Sequence, residues 1–130
     1  MIITILGEPA SKSNSRRLIY TRGKPRIIKS AKALQYLSDI RLQVPKINPL
    51  LGGDLEMKIK IFYASKRPDL DPSLIFDGLQ GLLYVNDRQI KKFTCDWALD
   101  RNRPRAEVEI IQLPIGWNNP VKGALVKKDG

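Results

Sequence analysis

The sequence predicts an α/β fold of the α+β kind, a single mixed β-sheet of about five to six strands with two main helices packed on it. Three observations predict it. Residues 55–63 alternate apolar and polar with period two, the pattern of a half-buried strand. The stretch after Ser30 instead repeats its apolar residues at approximately helical spacing. The elements then run strand, hairpin, helix, strand, helix and two strands, and each has a single apolar face that must be covered. At 130 residues the chain can bury roughly two-thirds of its unfolded surface in one core, so one compact domain is expected.

Residues 1–8 (MIITILGE) are β-branched and apolar, reading as a strand that ends at Pro9. A polar loop, Ala10-Ser11-Lys12-Ser13-Asn14-Ser15-Arg16-Arg17, follows. Leu18-Ile19-Tyr20 and Arg26-Ile27-Ile28 flank Thr21-Arg22-Gly23-Lys24-Pro25, which predicts a β-hairpin with a basic tip. Ser30 suits the N-cap of a helix running to about Val44, with Ala33, Leu34, Leu37, Ile40 and Leu42 or Val44 as its apolar stripe. Pro45 and Pro49 bracket a loop. The strand 55–63 leads into Arg67-Pro68-Asp69-Leu70-Asp71. Pro72 fits the first turn of a second helix whose apolar face is Leu74, Ile75, Leu79, Leu82 and Leu83, weakened by Gly78 and Gly81. Phe93, Cys95, Trp97 and Leu99 alternate in the next strand, Arg101-Asn102-Arg103-Pro104 turns, and Ala106, Val108 and Ile110 alternate in the last, giving a closing hairpin. The domain is expected over 1–113, with a polar basic tail over 114–130.

The composition removes several kinds of chemistry. With no histidine there is no Ser-His or Cys-His nucleophile and no His-ligated zinc, which leaves carboxylates, lysines and hydroxyls. Cys95 is the lone cysteine and cannot form an intrachain disulfide. The N-terminus does not resemble a secretion signal, so a reducing cytosol is the expected compartment. No apolar run approaches the ~20 residues that span a bilayer, and no membrane partner is expected.

Lys and Arg number 23 against 13 Asp and Glu, a formal charge of +10 that suits a polyanionic partner such as nucleic acid. The charge is uneven. Residues 1–32 hold eight Lys/Arg against the single acid Glu8, leaving fifteen against twelve in the remainder. Asn14 and the basic side chains Lys12, Arg16, Arg17, Arg22, Lys24 and Arg67 are the candidate DNA contacts.

Against that basic background the acids of 69–87 stand out. In an extended segment Asp69 and Asp71 point the same way. At ~6 Å and an effective dielectric near 20 they repel by roughly 3 kcal/mol unless a cation lies between them. Mg²⁺ or Mn²⁺ suits such a gap, with Asp87 after the helix or Asp77 within it as a third carboxylate. A metal held there would polarise a phosphodiester and generate hydroxide from water. The plainer roles are a helix cap for Asp71 and a turn residue for Asp87.

The run Arg67-Pro68-Asp69-Leu70-Asp71, followed by Phe76-Asp77-Gly78-Leu79-Gln80-Gly81-Leu82-Leu83-Tyr84-Val85-Asn86-Asp87-Arg88-Gln89-Ile90, resembles the RusA family of Holliday-junction resolvases. The N-terminal polar loop is similar to that family's, so the likeness spans most of residues 1–112. The resemblance implies a small α/β homodimer, bacterial or encoded by a phage or prophage, that cuts four-way DNA junctions with Mg²⁺ by paired symmetric nicks. It assigns the metal-binding and catalytic aspartates to Asp69, Asp71 and Asp87. Two departures bear on activity. The family commonly has Asn after the second aspartate and a lysine four residues after that aspartate, where this chain has Pro72 and Ile75; realigning on Asp77 puts Ser73 in the lysine's place. Asn86 also replaces an aspartate. Lys66 is the first candidate to replace the lysine, with Lys12 and Lys91 behind it. The alternative from another class is a non-catalytic basic nucleic-acid-binding module.

Overall fold

The computed structural model of the chain describes residues 1–11 and 14–119. Among these residues the elements are β1 (Ile2–Leu6), β2 (Arg16–Thr21), β3 (Lys24–Lys29), α1 (Ala31–Gln43), β4 (Leu55–Tyr63), α2 (Ser73–Leu79), β5 (Ile90–Leu99) and β6 (Arg105–Gln112). The α+β class is as predicted and both helices form, the second ending before Leu82 and Leu83 of its expected apolar face. The strands divide differently: β1, β6, β4 and β5 form a four-stranded mixed sheet in that order, and β2 and β3 form a separate two-stranded sheet.

β4 lies inside the sheet between β6 and β5, and its alternation puts one face in the core. Leu55, Met57, Ile59, Ile61 and Tyr63 are all buried and join one core with Ile5, with Ala33, Tyr36, Leu37 and Ile40 of α1, with Leu74, Ile75 and Leu79 of α2, and with Ala106, Val108 and Ile110 of β6. The opposite face is charged. Lys58 is opposite Glu109 and Lys60 opposite Glu107 across the antiparallel β4–β6 ladder, as expected where one side of a sheet meets water.

The expected closing hairpin does not form. β5 pairs with β4 in parallel, and β6 crosses to the other side of β4 and pairs with it and with β1, both antiparallel. The turn between them is still built as a turn. Asp100 Oδ1 accepts from the amides of Asn102 and Arg103, and Oδ2 meets Arg105 at 2.9 Å. The sheet order gives β4, the strand with the most buried residues, a partner on each side. A parallel neighbour needs a long crossover, which residues 64–89 supply through α2.

Helix α1 starts where its sequence says. The Ser30 side chain accepts from the Ala33 amide at 3.1 Å, and Val44 is the C-cap. Leu34 and Leu42 are exposed, and Tyr36 takes the buried place instead. The β2–β3 connection is shorter than the predicted five residues. Arg22 (φ 52°) and Gly23 (φ 77°) make a two-residue turn with both φ positive, the geometry that matches strand twist. Helix α2 stops at Leu79, so Leu83 and Tyr84 enter the core from the turn behind it. Gly78 is there for packing: a methyl group at this position would collide with Ile40 of α1.

Candidate active site

The acidic segment leaves β4 and is tied to the sheet by two aromatic side chains. Tyr63 Oη donates to the Asp69 carbonyl at 3.2 Å and accepts from the Asp71 amide at 3.4 Å. Trp97 Nε1 donates to the Pro68 carbonyl at 3.0 Å. Burial pushes the Tyr63 hydroxyl up to about 12, the Asp71 amide works against that shift, and the charges of Cys95, Asp71 and Glu8 add to it. Tyr63 therefore stays a neutral donor over the ordinary pH range. The N-terminal strand's exit is tied to the same corner, since Glu8 Oε1 accepts from the Ala64 amide at 2.6 Å. Burial, with Asp96 and Asp71 nearby, also pushes the Cys95 thiol up to about 11, which leaves it inert as a nucleophile.

Asp71 Oδ1 accepts from the Ser73 amide at 3.0 Å, so it serves the start of α2. It lines a cavity of about 540 Å³ together with Ser73, Leu74 and Asp77 of α2 on one side and Ser15, Arg16 and Lys29 from the base of the hairpin on the other. Lys29 Nζ lies 3.6 Å from Asp77 Oδ2. Two carboxylates and two cations therefore meet across one cleft.

Asp87 sits at a second, strongly braced turn. It opens a single 3₁₀ turn, Asp87–Gln89, capped by Asn86, whose side chain accepts from Arg88 at 2.9 Å. Gln89 Oε1 accepts from the amides of Val85 and Asn86, and its Nε2 donates to the carbonyls of Leu51 and Gly53. Gln80 Oε1 accepts from the Asp87 amide at 2.9 Å. Burial, then the charges of Asp87 and Asp77, raise the pKa of Tyr84 well above the usual phenol range. The Tyr84 hydroxyl donates to the Phe76 carbonyl at 2.7 Å.

Of the residues predicted from sequence, Asp71, Asp77 and Arg16 meet in the cleft. Asp69 is exposed beside it in chain order, its backbone held by Tyr63, and Asp87 is on its own turn. Neither lines the cleft, and nor do Lys66, Arg67, Asn14, Arg17, Arg22 or Lys24, all of which are exposed. Lys12 and the tail from 120 onward lie outside the described residues. Lys29, Ser73, Tyr63 and Trp97 were missed as site residues. A signal for Lys29 was present: with Arg22–Gly23 as the turn, the register pairs it with Arg16.

A family model, endodeoxyribonuclease RusA, matches residues 7–111. The chain belongs to the RusA endodeoxyribonuclease family. The match begins at Gly7 and ends at Ile111, so it takes in the hairpin, both helices and the acidic segment as well as most of the sheet. Membership makes nuclease action on Holliday-junction DNA the activity class of the fold. Comparison with curated proteins gives no match.

Among the side chains of the cleft, the carboxylates of Asp71 and Asp77 are the donors that suit a hard divalent cation. Among the described residues no group of three or more His, Cys, Asp or Glu is gathered closely enough to hold a metal ion. Mg²⁺ commonly takes one or two carboxylates and completes its shell with water and substrate phosphate, so the carboxylates of the cleft meet that lower requirement. Among the described residues no helix is long and apolar enough to cross a membrane.

Proposed function

We propose that this RusA-family protein is a Mg²⁺-dependent endonuclease that resolves four-way DNA junctions by paired symmetric nicks. The observation that supports it is the cleft in which Asp71 and Asp77 face Arg16 and Lys29. Carboxylates alone would repel a phosphate, and cations alone would hold it without chemistry. Asp71 is the proposed metal ligand of the cleft; Asp69 and Asp87, the further ligands that the resemblance implies, lie outside it; Mn²⁺ is expected to substitute. When bound, the metal supplies a polarised phosphodiester and a water of lowered pKa. The chain's own residues do the remainder: Arg16 orients the backbone, the hairpin tip with Arg22 and Lys24 follows the neighbouring phosphates, and Tyr63 and Trp97 hold the acidic segment still.

Two symmetric cuts on a nearly two-fold substrate call for two sites, so a homodimer is part of the proposal. A cytosolic protein of bacterial, phage or prophage origin fits the thiol and the basic charge. The competing reading, a binding module without turnover, draws support from the absence of a gathered carboxylate triad among the described residues. Nicking of a synthetic four-way junction, compared with a linear duplex of the same sequence, separates the two. Paired nicks that require Mg²⁺ and stop with a chelator are expected. Tight junction binding without any nick, in Mg²⁺ or Mn²⁺, would leave the binding module.

A further inference from the structure

Helix α2 offers the cleft no cation of its own. Ile75 is completely buried in the core, and Ser73, on the cleft wall, is short and neutral. The positive charge comes from the opposite wall. Arg16 and Lys29 are register partners in the β2–β3 ladder and therefore project from the same face of the hairpin. The base of that hairpin is fixed. The Ser30 amide donates to the Ser15 carbonyl at 2.9 Å, and the Ser30 hydroxyl both donates to the Asn14 carbonyl and caps α1. Lys29 thus starts from a point fixed by these hydrogen bonds, one residue before the helix cap.

We infer that Lys29 is the cation that meets the phosphate undergoing cleavage, supplied across the cleft in place of one on α2. The inference rests on the nuclease reading above and names a residue for it. Lys29 and Asp77 are each 44% exposed at 3.6 Å. Such a half-exposed pair is weak, so the ammonium can exchange Asp77 for a phosphate oxygen. Hydrolysis adds a water oxygen to phosphorus and breaks one P–O ester bond. One water proton ends on the departing sugar hydroxyl, and the other is lost from the new phosphate oxygen. Lys29 gives up no proton in this step: it donates a hydrogen bond to a non-bridging oxygen whose charge grows as the five-coordinate state forms. Asp77 parks the ammonium between turnovers. Lys66 is exposed after the end of β4 and does not line the cleft, so it has no such position.

The test is single-turnover cleavage of a synthetic four-way junction at saturating Mg²⁺ and DNA, for wild type, Lys29→Gln, Lys29→Arg and Lys29→Gln with Ser73→Lys. Junction affinity in Ca²⁺ and the melting temperature are measured alongside. Lys29→Gln keeps most of the side-chain stem and is expected to fold. Its cleavage rate should fall about 100-fold, the usual cost of one preorganised charge-stabilising group. Its affinity should fall far less. Lys29→Arg should keep most of the rate, and Ser73→Lys should recover part of the loss by returning an ammonium from the other wall. A Lys29→Gln protein that cuts at the wild-type rate, or that loses affinity without losing rate at saturation, overturns the assignment while the nuclease reading stands. A wild type that binds the junction and never cuts it overturns the nuclease reading and Lys29 with it.

Discussion

Tyr63 and Trp97 stack at 5.8 Å with 24° between their ring planes, near the ends of the parallel strands β4 and β5, and each spends its polar hydrogen on the backbone of the acidic segment. Two rigid aromatics from neighbouring strands thus set where Asp69 and Asp71 stand. Tyr63→Phe keeps the stack and removes the hydroxyl. A stability loss of about 1 kcal/mol is expected, the usual net worth of one hydrogen bond. Cleavage should fall about 10- to 100-fold, since small misplacements of reacting groups are costly. Junction affinity should hardly change. Equal loss of affinity and rate would mean that the tyrosine supports the fold as a whole.

The same hydroxyl gives a pH dependence. Its pKa is raised on folding, to about 12 against about 10 unfolded, mainly by burial. The stability it contributes is therefore complete below pH ~10 and is lost as pH rises through ~12. Tyr84, raised by burial and two carboxylates, works in the same direction. Wild type should lose stability across that window in alkaline denaturation, and Tyr63→Phe should lose less of it.

Ile75→Lys is the substitution that restoring a lysine four residues after Asp71 would suggest. The structure predicts that it fails. Ile75 is completely buried, and an ammonium there would be unpaired, at a cost of roughly 3–5 kcal/mol. The variant should be unfolded or far less stable by thermal denaturation. Ser73, on the cleft wall, is the position of α2 that can carry a lysine into the site.

Gly78→Ala tests the contact between the helices. The added methyl meets the Ile40 side chain. Overpacking of this kind costs about 1–3 kcal/mol, against the ~1 kcal/mol that alanine would gain over glycine in a free helix. A net loss of thermal stability is expected. A gain would show that Ile40 moves aside freely.

The parts of the fold legible in the sequence are those set by local periodicity. Alternation over Leu55–Tyr63 and the Ser30 cap each describe one element, and both are found as read. The position of β6 between β1 and β4 was not legible, because strand order follows from which apolar faces fit together across the whole sheet. The site divides in the same way. Asp71 was visible as part of a pattern, whereas alternation marks Tyr63 and Trp97 only as inward-facing residues and says nothing of their hydrogen bonds to the acidic segment. Lys29 emerged only once the hairpin register put it opposite Arg16.

Arg16 and Arg17 are adjacent in β2 and so lie on opposite faces of the hairpin; Arg16 lines the cleft and Arg17 does not. Each phosphate contact on duplex DNA contributes ~0.9 to the slope of log affinity against log salt. Arg16→Ala should flatten the slope by about that amount, and Arg17→Ala should leave it near wild type. If both flatten it equally, DNA wraps both faces of the hairpin.

Asp71 caps the start of α2 and is the proposed metal ligand, and asparagine separates the two roles. Its Oδ1 accepts from the Ser73 amide, a bond that the amide oxygen of asparagine can also accept, so Asp71→Asn should leave the start of α2 intact. What the substitution removes is the negative charge. A divalent cation then loses its carboxylate in the cleft, and with it the means of polarising the phosphate. Removing a negative charge beside Arg16 and Lys29 also makes the cleft more attractive to DNA. Cleavage of a four-way junction should therefore be abolished at the Mg²⁺ concentration that saturates wild type, while junction affinity is kept or improved and the melting temperature stays close to wild type. Titrating Mg²⁺ distinguishes the two duties further, because a weakened metal site shows partial recovery at high Mg²⁺ and a damaged helix start does not. An Asp71→Asn protein that cuts at the wild-type rate would reduce Asp71 to a helix cap and overturn its assignment as a metal ligand.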